Sequence, residues 1–434
     1  MKWLRSLIFI FLFPMILTIT VACGDDEPSG ELTAFVNATI WNGTDTSSLE
    51  NAGMLVQDGY VYDILPMTEW EYPEEIETID LAGNYIIPGM INAHGHVGIA
   101  RGLESGSDIH SEENVINQLR LNARYGITTV VSLGDEPAEA FHVRDTMNPA
   151  EQGMARLYLA GPVLNPSSAD EAYNDVESLM GLNPDWTKIR VDDNLGRSEK
   201  MSTEIYSSLI EASHQFDTPL AAHIVTLEDA ISLLEHDVDL IAHSVRDEPV
   251  DSQMIDLMLE RDICITPTLT REVSVFIYAD RPDFFDDPFF LQYADEQVLE
   301  ELQQPDVQER YTGIAADYYR EALPLAMENM MTLHNAGVRV ALGTDSGPAA
   351  RFQGYFEHME MEMMQQAGMM PAEILLAATG DAAECMQIAD QVGTLTPGKQ
   401  ADFVVIESNP FDDILNLREI DSVFIGGNAI QMQD

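Results

Sequence analysis

Beyond residue 30 the chain alternates between two kinds of hydrophobic pattern. Residues 31–85 hold short runs of mixed apolar and polar positions, Thr33 to Val36, Met54 to Val56, Tyr60 to Ile64 and Glu77 to Leu81, separated by Asn42-Gly43, Asp58-Gly59 and Ala82-Gly83-Asn84. Short β-rich runs between Gly and Asn punctuation predict strands joined by tight turns. From Ile86 the apolar runs become continuous and alternate with longer amphipathic stretches, the pattern of a parallel sheet covered by crossover helices. Eight such runs follow: Tyr85–Ile91, Thr128–Leu133, Arg156–Ala160, Thr187–Val191, Leu220–Ile224, Leu240–Ala242, Ile263–Pro267 and Val338–Leu342. Eight units predict closure into a (β/α)8 TIM-type barrel over residues 86–390. Met201 to Phe216 has helical apolar spacing, and Thr226-Leu227-Glu228-Asp229 opens a second helix with an N-cap residue and early acids. Met359, Met363, Met364 and Ala367 form a stripe expected to face the core.

Two segments fall outside this rhythm. Residues 271–310 carry Pro282, Pro288, Pro305 and the aromatic pairs Phe284-Phe285 and Phe289-Phe290. After the seventh strand, such an excursion is expected to form a lid over the active face or an oligomer contact. Residues 391–434 return to strands at Ala401 to Ile406 and Val423 to Gly426; pairing them with residues 31–85 predicts one small β-sandwich from which the barrel is an insertion.

The first residues have a separate purpose. Lys2 and Arg5 precede an apolar run, Leu7 to Ala22, that is short for a membrane span and contains Pro14, Thr18 and Thr20. Residues 1–22 therefore read as an export signal. Cys23 after Val21-Ala22, followed by a polar stretch, resembles a bacterial lipoprotein signal acylated at the cysteine, which implies membrane attachment; ordinary cleavage near Ala22 is the alternative. Beyond it only Cys264 and Cys385 remain, too few for a disulfide framework, and both read as small buried hydrophobes. With 74 acidic against 21 basic residues the net charge is −53, which excludes nucleic acid as a partner. A carboxylate surface with so few lysines fits an environment of high salt, where self-repulsion is screened.

Candidate chemistry gathers at the ends of the predicted strands. His94-Gly95-His96 closes the first run, and residues i and i+2 of a strand share a face. Lys188, His223, His243 and Asp345 stand near the ends of the fourth, fifth, sixth and eighth runs, and in such a barrel the C-terminal strand ends converge on one rim. Nitrogen and oxygen ligands with an open position suit zinc or a similar divalent ion, and a pair of ions can activate a bridging water for hydrolysis. Lys188 is conspicuous inside a strand in a chain whose other lysines are Lys2, Lys200 and Lys399; its alternative is an ion pair with Asp192 or Asp193. Arg190 lies two positions on and either meets a substrate carboxylate or pairs with one of the many acids. His110, His142, His214, His236, His334 and His358 lie in helices or loops and read as structural.

Pro88 to His96, the ordered Lys, His, His, Asp series and Gly393 to Ile406 resemble the amidohydrolase superfamily. Tyr125 to Val130, Ala222 to Ala230, Ile241 to Ser244 and Gly343 to Gly347 are similar to its imidazolonepropionase-like branch, which includes prolidase-type dipeptidases. The resemblance implies that His94, His96 and Asp345 hold one metal, His223 and His243 a second, and a carboxylated Lys188 bridges both. It further implies Asp345 as proton shuttle, with His243 helping to stabilise the developing oxyanion. The expected activity is hydrolysis of a carbon–nitrogen bond in a small substrate such as a dipeptide or an N-acyl amino acid. An ester, lactone or phosphotriester hydrolase, and a non-catalytic exported metal- or solute-binding lipoprotein, are the other two readings.

Overall fold

The computed structural model describes residues 32–73 and 75–433, so the export signal and Cys23 lie outside the described residues. The first five strands are β1 (Leu32–Trp41), β2 (Ser48–Gln57), β3 (Tyr60–Pro66), β4 (Glu77–Asp80) and β5 (Tyr85–Pro88). Next come β6 (Met90–Gly95), a two-stranded ribbon of β7 (Ala100–Arg101) and β8 (Glu104–Ser105), and then β9 (Ile127–Ser132) and β10 (Arg156–Leu159). Four more follow, β11 (Thr187–Arg190), β12 (Leu220–His223), β13 (Leu240–Ala242) and β14 (Cys264–Thr266), and the chain ends with β15 (Phe403–Ile406), β16 (Ile420–Ile425) and β17 (Asn428–Ala429).

The two ends of the chain share one mixed sheet of eight strands, ordered β17-β16-β15-β5-β1-β2-β3 with β4 beside β1. Asp58 and Gly59 turn β2 into β3 with φ of 51° and 88°, the conformation that a two-residue hairpin with right-handed strand twist requires. Strand β15 shows how the sheet is anchored: Phe403 and Val405 join Phe35, Met54 and Phe424 on one face, while Val404 and Ile406 enter the main core on the other. This is the period-two alternation of a strand buried on both sides. Arg156 of β10 reinforces the junction with two contacts to the buried Asp402, Nε to Oδ2 at 2.5 Å and Nη2 to Oδ1 at 3.0 Å.

Apart from the antiparallel β7–β8 ribbon, the remaining strands are parallel and alternate with helices, making the fold α/β. They form β10-β9-β6 and β11-β12-β13-β14. Isolated parallel bridges continue the pairing at Leu164 with Ile189, Ile265 with Val340 and Gly95 with Ser346. The eighth apolar run therefore lies between β14 and β6; Ala341 donates to Ile265 O at 2.9 Å and Ala93 to Leu342 O at 2.7 Å. Among the helices, Thr203–Gln215 falls within the expected stretch, and Thr226 caps Leu227–Glu235 by accepting from the Asp229 amide. Met363 and Met364 are buried in the main core. Among the described residues no helix is long and apolar enough to cross a membrane.

Two sequence expectations change, at the first apolar run and at the cysteines. The first apolar run is two strands, because the chain leaves the terminal sheet at Pro88-Gly89; a Cβ on Gly89 would lie 2.0 Å from Thr128 Oγ1, so only glycine passes there. Residues 271–310 form short helical turns with an aromatic cluster of their own: Tyr278, Phe284, Phe285, Phe289 and Phe290 pack with Tyr125, Tyr355 and Phe356. Cys264 and Cys385 are buried as expected but joined in a disulfide, with Cα atoms 5.7 Å apart across 121 residues. The fold brings the start of β14 against the end of the helix Gly380–Cys385, a proximity that sequence spacing does not carry.

Candidate metal centre

The C-terminal ends of the parallel strands gather the residues singled out in the sequence. His94 stands in β6 with His96 just past its end, Lys188 in β11, and His223 at the last position of β12. His243 directly follows β13, and Asp345 follows the eighth run. The ring centroids of His94 and His243 are 4.7 Å apart, those of His223 and His243 4.3 Å, and those of His94 and His96 5.8 Å. Lys188 Nζ lies 3.4 Å from His94 Nε2, and Asp345 Oδ1 lies 2.7 Å from His96 Nε2 and 3.9 Å from His94 Nε2. Ligand atoms of His94, His96 and Asp345 all fall within 4.8 Å of one another. The six residues thus meet in one place.

Local backbone makes this possible. Strand β6 can lie against the eighth run because residue 343 is glycine; a Cβ there would stand 2.9 Å from both His94 Cβ and Thr266 Cβ. His243, Thr268 and Asp345 all adopt positive φ, at 75°, 51° and 56°. Non-glycine residues, and a β-branched threonine above all, take up that conformation at a cost in strain that concentrates at functional sites. Each turns its chain sharply where a strand ends.

Hydrogen bonds orient the rings. His96 Nδ1 donates to Gly134 O at 2.8 Å, and its Nε2 meets Asp345 Oδ1 at 2.7 Å. His94 Nδ1 faces Thr266 Oγ1 at 3.3 Å, and His243 Nδ1 faces Thr268 Oγ1 at 2.6 Å, so both rings also present Nε2 to the centre. His223 Nε2 is buried 3.4 Å from Asp192 Oδ2 but without a well-directed hydrogen bond. Beneath them Glu357 Oε1 accepts from Asn92 Nδ2, Thr344 Oγ1 and Ser346 Oγ at 2.5, 3.0 and 2.6 Å, while Asn92 Oδ1 accepts from the His94 amide. A buried carboxylate so placed ties the first strand to the eighth.

Electrostatics favour the neutral form at three of the rings, whereas at His96 burial is outweighed by the hydrogen bond and charge of Asp345, which raise it. Burial pushes His94 and His243 well below the usual histidine range, with Lys188 adding to the effect on His94 and His223 to that on His243. His223 is lowered to about 3 by burial and, despite its contact with Asp192, by Arg190, Arg246 and Arg271. Lys188 is lowered to about 7, again chiefly by burial. Burial alone would raise Asp345, but Arg351, with Nη1 2.6 Å from Oδ2, and the hydrogen bond from His96 hold it well below the ordinary carboxylate range. Three imidazoles held unprotonated, a fourth paired with the ionised Asp345, and an orphaned buried nitrogen on His223 are a donor set that fits divalent metal.

Other residues fall elsewhere. His142 faces Glu112, His214 faces Asp239, His236 donates to Ser232 O, His334 faces Glu373, and His358 is buried against Tyr125 O and the Phe289 ring. Lys188 makes no pair with Asp192 or Asp193; Asp192 belongs to His223. Arg190 is exposed at the end of β11 and, among the described residues, pairs with no acid. Sequence reasoning missed Thr266, Thr268, Arg351 and Glu357, and named Asp192 only as a partner of Lys188. The Thr-Pro-Thr spacing at 266–268 placed two hydroxyls at the end of the seventh run, a signal that could have been used.

A metal centre built from strand-end imidazoles on an α/β scaffold defines a class, the metal-dependent hydrolases. Residues 85–430 match the family model described as Amidohydrolase family, and the chain belongs to that family of hydrolases acting on carbon–nitrogen bonds. It is similar to the 5-methylthioadenosine/S-adenosylhomocysteine deaminase of Halalkalibacterium halodurans, 23% identical over 363 residues that span 77% of this chain and 76% of that protein. The protein of the same name from Bacillus cereus strain G9842 is 22% identical over 92% of this chain and 93% of its own length. Among solved structures, a Xaa-Pro dipeptidase with bound methionine matches with a TM-score of 0.76 at 19% identity, over 92% of this chain and all of that one. Molinate hydrolase matches with a TM-score of 0.72 at 20% identity, over 93% and 95%.

Proposed function

We propose that the protein is an exported binuclear metal-dependent amidohydrolase that cleaves an amide or peptide-like bond in a small substrate such as a dipeptide or an N-acyl amino acid. The observation that carries this reading is the convergence of His94, His96, Lys188, His223, His243 and Asp345 on one rim. His94, His96 and Asp345 would hold one ion, and His223 and His243 the other. Lys188, its amine lowered to about 7 chiefly by burial, would attack carbon dioxide in its neutral form, lose a proton and present the resulting carbamate to both ions. Zinc suits the nitrogen-rich set. The bridges at Leu164, Ile265 and Gly95 support a closed (β/α)8 barrel over residues 86–390, and the terminal sheet, with apolar faces on both sides, supports a small β-sandwich of residues 31–85 and 391–434.

When bound, the ions supply an activated water and polarise the scissile carbonyl. The chain does the rest. Asp345, held ionised by Arg351, accepts the proton of the attacking water and delivers it to the leaving amine. His243, fixed through Nδ1 by Thr268, would keep only Nε2 for an ion, so it has no N–H left to donate to the oxygen of the carbonyl.

The buried disulfide supports export to an oxidising compartment by way of residues 1–22, with acylation at Cys23 as the anchor. A second reading, deamination of an amino-purine, is favoured by the relatives named as deaminases, which use the same class of bond. Metal analysis combined with a panel of dipeptides, N-acyl amino acids, lactones and amino-purines tests both. Turnover of an amide, abolished by chelation and by Asp345→Asn in folded protein, is the expected result. Turnover confined to amino-purines would replace the reading, and bound metal with no turnover of any class would refute it.

A further inference from the structure

The helix Tyr355–Ala367 carries two fully buried carboxylates one turn apart, Glu357 and Glu360. Glu357 ties the first strand to the eighth. Glu360 serves the end of the seventh. Its Oε1 accepts from the Leu269 amide at 2.6 Å, and its Oε2 accepts from the Thr270 amide and from Thr270 Oγ1, both at 2.7 Å. The same Thr270 hydroxyl lies 3.3 Å from Thr344 O, next to Asp345 in the chain. Burial raises Glu360 to about 7 against the pull of these bonds, and the charge of Glu272 adds to the rise. A carboxylate held in the interior by neutral donors opposes folding, and an apolar residue would fill the position without that cost.

What Glu360 holds is the turn on which His243 depends. Leu269 and Thr270 directly follow Thr268, whose hydroxyl meets His243 Nδ1 at 2.6 Å. Thr268 reaches that place only with φ at 51°, an unfavourable conformation for a β-branched residue that persists only where its surroundings are fixed. The three bonds to Glu360 fix the two residues after it. A continuous path of contacts thus runs from the helix through the carboxylate and the turn to the imidazole.

We propose that Glu360 is a positioning residue of the metal centre: by holding Leu269 and Thr270 it fixes Thr268, and through that hydroxyl it sets which nitrogen of His243 is free for an ion. Its carboxylate reaches the centre only through this turn. The effect on metal rests on the binuclear reading; the effect on the ring does not.

The first measurement needs no metal. In the metal-free protein at pH 8, ring ¹⁵N signals of His243, assigned by their loss in His243→Gln, should report one tautomer with the proton on Nδ1. Glu360→Gln accepts through one oxygen only and turns an N–H group toward a donor, so it should mix the two tautomers. Glu360→Asp keeps both oxygens on a shorter stem and should mix them less; it carries the comparison if the glutamine variant does not fold. The second measurement adds cobalt(II). The parent is expected to take two ions, and Glu360→Gln should bind one as the parent does and the other about 10–100-fold more weakly, with altered visible bands. Thr268→Val should weaken the same ion, and the double variant should be no worse than either alone, because both changes act on one contact. Met364→Ala, buried on the same helix, controls for general loosening: it should lower the melting temperature and leave tautomer and affinities as in the parent. A parent-like tautomer in both folded Glu360 variants, equal losses in Met364→Ala, or additive losses in the double variant overturn the proposal. If the parent takes no second ion, the binuclear reading fails instead, and the tautomer alone decides: mixing in the Glu360 variants but not in Met364→Ala supports the positioning role, and its absence overturns it.

Discussion

The two ends of the parallel strands are built on opposite principles. At their C-terminal ends the chain buries three imidazoles, a lysine and an aspartate, half-buries His96, and bends His243, Thr268 and Asp345 into positive φ. At the other end Trp186, Leu240 and Cys264 pack with Ala382, Cys385, Met386 and Ile388 in an apolar cluster closed by a disulfide. Desolvated ionisable groups and strained backbone oppose folding, whereas apolar burial and a cross-link favour it. The same strands thus carry function at one end and stability at the other, and changes at the two ends should separate in experiment.

The largest effect is expected at Lys188. Lys188→Ala should lose bound metal and reduce activity by more than the roughly 10–100-fold that loss of a partner outside the ligand set costs, with partial rescue by short carboxylates. Because burial lowers the amine to about 7, the neutral form that reacts with carbon dioxide should grow as pH rises from 6 to 8, whereas an ordinary lysine stays protonated throughout. A carbamate signal from ¹³C-bicarbonate should follow the same rise. Unaltered metal content in the variant, or no pH-dependent carbamate, would reject this role.

Thr268 comes next. Its hydroxyl holds His243 at 2.6 Å and its backbone is at φ 51°. Thr268→Val keeps the shape and removes the acceptor, so metal affinity or kcat should drop by about 10–100-fold with little change in melting temperature. Thr268→Asn tolerates the backbone better and should raise the melting temperature slightly while leaving the ring poorly held. Equal activity in both variants would mean that the threonine only shapes the turn.

What the sequence made readable at each end follows from what a pattern can record. Periodicity reports how one strand meets its surroundings, so continuous apolar runs and the strand-end positions of His94, His96, Lys188, His223, His243 and Asp345 were legible together. Partners brought in from other elements were not. Arg351 reaches Asp345 from a loop six residues away, Glu357 reaches Asn92 across 265 residues, and Cys264 reaches Cys385 across 121. Arg190 illustrates the reverse case, since composition favoured an ion pair that is not made among the described residues.

The disulfide offers the smallest change in function and the cleanest separation of the two ends. Closing a loop of 121 residues restricts the unfolded chain, and removal of such a bridge typically costs about 2–4 kcal/mol. Cys264→Ser with Cys385→Ser should therefore lower the melting temperature while the metal content and kcat per folded molecule stay as in the parent, because β14 begins at the bridge and reaches the centre only at Thr266, its last residue. A serine pair also places two hydroxyls in an apolar cluster, so the alanine pair separates that cost from the lost cross-link. If either pair loses metal before it loses fold, the rigidity of the apolar end extends along the strand to His94, and stability and function are not divided between the ends.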